Sequence, residues 1–171
     1  MSVSQLYKSI NPSTTHIREY MMERELNNRL NKHNIRAIRI EGRPSSPTDI
    51  DLFEYDYDKL AFLRFVCTID LERKFGRKFI NGTIPSDYCE GLNYLSRRKI
   101  DNPSKSGDII YLIYDDVESN PDIFWNYFFE IKRYGIYRKK SVNDCVYSIP
   151  HNKYYLVHKG WDSLISEILS L

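Results

Sequence analysis

The run Asp108-Ile109-Ile110-Tyr111-Leu112-Ile113-Tyr114 constrains this chain more than any other segment. Its apolar residues are continuous rather than alternating, so as a strand it must be covered on both faces. That is the habit of a central strand in a sheet sandwiched between helices. The chain has 171 residues, room for one such domain and too few for two of ordinary size. Residues 15–32 read as a helix, capped by Thr14 or Thr15, with Met22, Leu26 and Leu30 on one face and Asn34 as its stop. Residues 35–40, 49–55 and 60–71 read as three strands, the last two joined by a turn at 55–58. A helix is expected over 86–98, and another from Asn120-Pro121 to Gly135. Residues 144–149 and 154–158 look like a hairpin pair, and a last helix starts near Trp161. The order α-β-β-β-α-β-α-β-β-α predicts an α/β fold, a mixed central sheet with helices on both faces. It forms a single domain over 1–171, with 1–13 as an N-terminal arm.

Composition narrows the class. No apolar run reaches the roughly 18 residues of a membrane span or forms an export signal, so no membrane association and an intracellular location (cytoplasm or nucleoid) are expected. Cys67, Cys89 and Cys145 form no CxxC pair, which argues against a disulfide scaffold or a Cys-rich zinc site. The histidines His16, His33, His151 and His158 show no HxH or HxxxH spacing. Lys and Arg total 25 against 23 Asp and Glu, so bulk charge alone points to no nucleic-acid partner and its distribution must carry the argument. That distribution is clustered: Arg73-Lys74 and Arg77-Lys78, Arg97-Arg98-Lys99, and Arg138-Lys139-Lys140 with Tyr134 and Tyr137 nearby. Nucleic-acid binders neutralise phosphates with such clusters. Arg73, Lys78, Arg97, Arg98, Arg138, Lys139 and Lys140 are the candidate phosphate contacts.

The sharpest signal is an order of small motifs: Glu23-Arg24-Glu25-Leu26 and Leu30 on the first helix, Ala37 and Arg39 on the strand, Gly42, then Asp49-Ile50-Asp51-Leu52. Over about residues 23–71 this resembles the archaeal Holliday junction resolvases and, more widely, the PD-(D/E)xK nuclease superfamily. The resemblance implies a restriction-endonuclease-like fold and a metal-dependent DNA endonuclease acting on duplex or branched DNA. It also implies a homodimer, because two strands must be cut. Phosphodiester hydrolysis needs a hard cation held by oxygen ligands to activate water and steady charge on phosphorus, so Mg²⁺ or Mn²⁺ is the implied cofactor. By motif matching, Glu23 is the helix carboxylate, Asp51 the principal strand ligand and Asp49 an alternative or auxiliary one.

The family's acid-x-lysine element belongs on the third strand about a dozen residues later, where this chain reads Arg64-Phe65-Val66-Cys67-Thr68. With the turn centred on Asp56-Tyr57, Asp49 is expected opposite Arg64 and Asp51 opposite Phe62. The next acid-x-lysine string is Glu72-Arg73-Lys74, which makes Glu72 and Lys74 the candidate catalytic pair. Glu130-Ile131-Lys132 also spells the motif, but Phe124, Phe128 and Ile131 recur at helical spacing, so it reads as a charge pair on an amphipathic helix. The expected cleavage is therefore weak or absent unless Glu72 and Lys74 complete the site. Two other function classes fit the residues. One is a non-catalytic nucleic-acid-binding or interaction module. The other is a nucleotidyltransferase of the polymerase-β-like type, with Asp49 and Asp51 as its metal-binding pair and Asp70 as a third carboxylate.

Overall fold

The computed structural model describes residues 14–40, 49–73, 95–96, 108–114, 121–139 and 145–171. Helix α1 (Thr14–Leu30) leads through a short 3-10 turn (Asn31–His33) to Asn34, which adopts the left-handed conformation (φ 57°) and turns the chain into the sheet. An asparagine tolerates that conformation better than most residues, and it stops the helix where the sequence predicts. Three strands follow as a meander: β1 (Ile35–Arg39), β2 (Ile50–Asp56) and β3 (Ala61–Arg73), each antiparallel to the next. Residues 95–96 form a short strand β4 (Leu95–Ser96) and 109–114 the strand β5 (Ile109–Tyr114), which lies parallel to β3. Strand β6 (Ile123–Tyr127) runs antiparallel to β5 and passes directly into helix α2 (Phe128–Tyr134). Strands β7 (Ile136–Lys139), β8 (Cys145–Ser148) and β9 (His158–Lys159) precede the last helix, α3 (Trp161–Ser170).

The main sheet is six-stranded and mixed, in the order β1-β2-β3-β5-β6-β9, and a smaller sheet has the order β4-β8-β7. Helices cover both faces of the main sheet, as the continuous apolar run of β5 requires. On one face Met22, Leu26 and Leu30 of α1 and Trp161, Leu164 and Ile168 of α3 pack on Ala37, Leu52, Ile69, Ile110 and Leu112. On the other, Phe128 and Ile131 of α2 join Tyr111, Ile113, Phe124, Ile149 and Val157. Alternate residues of β5 thus enter opposite cores. No helix among the described residues is long and apolar enough to cross a membrane.

Four expectations need correction. Residues 123–127 are a strand, and the helix expected from Pro121 begins only at Phe128; the strand is buried along its whole length, so no alternation marks it. Leu95–Ser96, expected near the end of a helix, pair with β8; the rest of 86–98 lies outside the described residues, as does the arm 1–13. Segments 144–149 and 154–158 are not a hairpin. Strand β8 pairs with β7 and β4, residues His151–Leu156 form a 3-10 helix, and β9 pairs with β6.

The fourth correction concerns the β2–β3 register. The turn occupies residues 57–60, where Asp56 Oδ1 accepts from the N–H groups of Asp58 and Lys59 at 3.0 Å each. Register shifts between Leu52 and Phe53 and between Glu54 and Tyr55 leave Val66 and Leu63 as extra residues on β3. Phe62 therefore lies opposite Tyr55, Arg64 opposite Glu54, and Asp51 opposite Thr68. Arg64 does not meet Asp49; its Nη2 bridges to Glu54 Oε1 at 2.7 Å.

Candidate functional site

Cross-strand partners point to the same face of a sheet, so the register sorts the acids. Ile50, Leu52, Cys67 and Ile69 face the core under α1 and α3. Asp51, Thr68, Asp70 and Glu72 alternate with them and share the opposite face, where Asp70 stands beside Tyr111 and Tyr111 beside Asn126. The next position beyond the Ile50–Ile69 pair puts Asp49 beside Asp70: Asp49 N donates to Ile69 O at 2.9 Å, and Asp49 Oδ2 accepts from Leu71 N at 2.7 Å. The hairpin thus gathers Asp49, Asp51, Asp70 and Glu72 on its open end. Asp70 is 1% exposed and Thr68 4%. The Thr68 hydroxyl has no hydrogen-bond partner among the described residues.

The electrostatics follow from this crowding. Burial, reinforced by the Glu72 and Asp70 carboxylates, pushes the Tyr111 hydroxyl well above its ordinary range. Burial, then Asp108 and Asp51, pushes the Cys67 thiol up to about 12, which leaves it an inert core side chain.

The resemblance implies Glu23, Asp49 and Asp51 as metal ligands with Glu72 and Lys74 as the catalytic pair beside them, and the structure sets Glu23 and Glu72 apart from Asp51. Glu23 Oε2 accepts from the Arg39 backbone N–H on the outer edge of β1, while Arg39 Nε pairs with Glu19 Oε2 at 2.7 Å. Ile38 of β1 pairs with Asp51, so β1 stands between Glu23 and that acid. Asp51 lies opposite Thr68, and Glu72 is four residues further along β3, about 13 Å at the rise of a strand. A Mg²⁺ ion holds its ligands at about 2.0–2.1 Å. No group of three or more His, Cys, Asp or Glu side chains among the described residues could hold a metal ion, so the implied Mg²⁺ or Mn²⁺ does not fit these ligands as arranged. Lys74 lies outside the described residues.

The acid that stands next to Asp49 is Asp70, which sequence reasoning used only as a third carboxylate for nucleotidyl transfer. The Asp70-Leu71-Glu72 alternation on a strand was its signal. Of the phosphate candidates, Arg73 ends β3 and Arg138 and Lys139 sit on β7. Lys78, Arg97, Arg98 and Lys140 lie outside the described residues.

A second polar cluster lies at the other edge of the sheet. His158 Nε2 is 3.0 Å from Glu130 Oε2, and its ring stacks on Trp125 with centroids 4.1 Å apart. Asn126 Nδ2 donates to Glu130 Oε2 at 3.3 Å and to Leu156 O at 3.0 Å. Glu130 also caps α2 by accepting from Tyr127 N at 3.1 Å, so Glu130-Ile131-Lys132 lies on a helix as expected, but in its first turn and with Glu130 bound to His158 rather than as a solvated charge pair. The hydrogen bond to Glu130 raises the His158 pKa against the effect of burial. Burial pushes Glu130 up, but hydrogen bonds from His158, the Tyr127 backbone and Asn126 outweigh it and hold the carboxyl below its ordinary value.

Comparison of the chain with known protein families, with curated proteins and with solved structures returned no match.

Proposed function

We propose that this chain is a nucleic-acid-binding domain of the restriction-endonuclease-like type, in which the nuclease acids have become structural. The order of a helix, a three-strand meander and a fourth strand parallel to the third supports the fold half of this reading. One observation carries the functional half. The motif's helix carboxylate, Glu23, and its auxiliary ligand, Asp49, accept backbone N–H groups of β1 and β3, and Asp51 and Glu72 stand too far apart to share an ion. The acids of the resemblance persist without their convergence, which argues against hydrolysis and leaves binding through the basic clusters as the activity to test.

The test offers supercoiled, linear and four-way-junction DNA in Mn²⁺ to the wild type, Asp51→Ala and Glu72→Ala, and follows cleavage and binding together. Binding that weakens steeply with salt is expected, because it releases condensed counterions, with little or no cutting. Arg138→Glu with Lys139→Glu should weaken binding to all sequences alike. Robust cutting abolished by Asp51→Ala would overturn the binding-only reading in favour of an active nuclease. Absence of binding at micromolar protein in low salt would favour an interaction module.

The position of Asp70 favours a second reading. Asp49, one residue before β2, and Asp51 on β2 stand near Asp70 of the neighbouring strand, the three carboxylates that a polymerase-β-like nucleotidyltransferase reading would use. Metal binding by all three would need their side chains to converge further than they do here. Calorimetric titration with a nucleoside triphosphate and Mg²⁺ separates it: saturable binding lost in Asp70→Asn would displace the first proposal.

A further inference from the structure

The face of the hairpin that carries the acids is aromatic at its closed end. Phe53 of β2 contacts Phe62 and Phe65 of β3 edge-to-face, with centroids 5.2 and 5.6 Å apart, and Phe62 contacts Tyr55 at 4.9 Å. Tyr57 extends the group, 4.7 Å from Tyr55. These rings do not close into a core: Phe62 is 52% exposed and Phe65 39%. Exposing such a contiguous apolar patch costs free energy, and patches of this kind mark binding sites. The Arg36 guanidinium from β1 lies over this face, 4.8 Å from the Tyr55 centroid and 5.8 Å from that of Phe62. No carboxylate pairs with Arg36 among the described residues, whereas Arg64 is neutralised by Glu54.

From this arrangement we infer that the Phe53–Phe62–Phe65 face, with Arg36, is a stacking platform for the bases of an unpaired nucleic-acid strand. The inference rests on the nucleic-acid reading above and narrows it to a substrate class. Each base has an apolar π-face and is joined through its sugar to a negatively charged phosphate. A sheet face that offers exposed rings together with a guanidinium stacked on them is complementary to both. A duplex hides its base faces in the stack, so the rings cannot engage it. The direction of the face adds a second argument. Along β2 the same face continues from Phe53 to Asp51, and along β3 from Phe65 past the bulged Val66 to Thr68 and Asp70. A strand laid across the rings therefore passes on to the acid end of the hairpin.

The experiment measures fluorescence anisotropy of labelled oligo(dT), oligo(rU) and a DNA duplex with the full chain, its Phe62→Ala/Phe65→Ala double variant and Arg36→Gln. Both rings are half-exposed, so the double variant should keep its fold, checked by circular dichroism. The expected result is a loss of about tenfold or more in affinity for at least one unpaired oligonucleotide, with duplex affinity within about twofold. Which oligonucleotide binds tighter distinguishes DNA from RNA as the source. Unpaired-strand binding that the double variant leaves unchanged, with duplex binding intact, would overturn the platform while the nucleic-acid reading stands. No binding to any of the three would overturn that reading and the platform with it. Sedimentation that shows a dimer dissolved by Phe62→Ala/Phe65→Ala, with oligonucleotide binding unaltered, would assign the face to a second copy of the chain and also overturn the platform.

Discussion

Asp49 and Glu23 each accept a strand N–H, from Leu71 and Arg39, where the ladder itself provides no partner. Leu71 N lies beyond the end of β2, and Arg39 N points out of the edge strand β1. Removing such an acceptor leaves a partly buried donor unsatisfied, which costs about 1–3 kcal/mol. Asp49→Ala is therefore expected to lower the thermal midpoint by several degrees, at about 2–4 °C per kcal/mol for a chain of this size, and Asp49→Asn by less because the amide oxygen still accepts. Differential scanning calorimetry of the two variants checks the order. The His158–Glu130 pair gives a pH dependence with a definite sign. His158 has a folded-state pKa above its ordinary 6.5, so its contribution is fully present below that value and is lost as pH rises through the folded value. Glu130 has a folded-state pKa below 4.5, so its contribution is present above 4.5 and lost as pH falls through the folded value. The wild type should thus lose stability relative to His158→Gln as pH rises from about 6 to 8, and Glu130→Gln should flatten that profile. A difference that grows with rising pH would show that the pair does not hold the protonated imidazole. Leu60, at φ 51° in the hairpin turn, is a further residue-scale test. A left-handed leucine costs about 1–2 kcal/mol, so Leu60→Gly should be neutral or stabilising in spite of the entropy glycine adds to the unfolded chain.

Among the elements, the pairing of α1 with β1 explains how a sheet edge is closed by a helix. Asn27 Nδ2 donates to Ala37 O at 3.0 Å, and Asn27 Oδ1 accepts from Ala37 N at 2.8 Å, so a side-chain amide imitates the next strand. Glu23, one turn earlier, does the same for Arg39 N, and Glu19, a further turn back, holds the Arg39 side chain. An open edge is a template for unwanted pairing, and this row of polar side chains covers it. Asn27→Leu keeps the volume and removes both bonds, and it should cost about 2 kcal/mol or more and raise the tendency to aggregate on heating. Light scattering during a melt provides the check; an unchanged midpoint and no scattering would show that the edge is closed by packing alone. The apolar stripe Met22, Leu26 and Leu30 that announced α1 is buried in full.

For the whole molecule, one sheet joins two cores. Leu112 enters the core under α1 and α3, while its neighbours Tyr111 and Ile113 enter the core under α2. Neither core can open without exposing β5, so Leu26→Ala in one and Ile131→Ala in the other should each shift a single cooperative transition, by about 2–5 kcal/mol. Tryptophan fluorescence and circular dichroism should report the same midpoint in urea; separate midpoints would mean that the cores unfold independently. What depends on neighbours a few residues apart was legible in the chain alone. The helical period of α1, the Asn34 stop, the strands of the meander, the two-sided β5 and the start of α3 were all local patterns of apolar spacing and turn chemistry. Strand β6 was hidden because burial on both faces erases alternation, and Phe124, Phe128 and Ile131 fell at helical spacing across a strand–helix junction. The partners of β8 and β9 were hidden because a strand of four residues or two carries no information about a distant mate. The candidate site depended on register. The position of the turn and two extra residues on β3 moved Asp51 from Phe62 to Thr68, took Arg64 to Glu54, and set Asp70 beside Asp49. A bulge is settled by how whole faces pack, not by the residues that form it, so which acids meet follows from the folded sheet and not from local pattern.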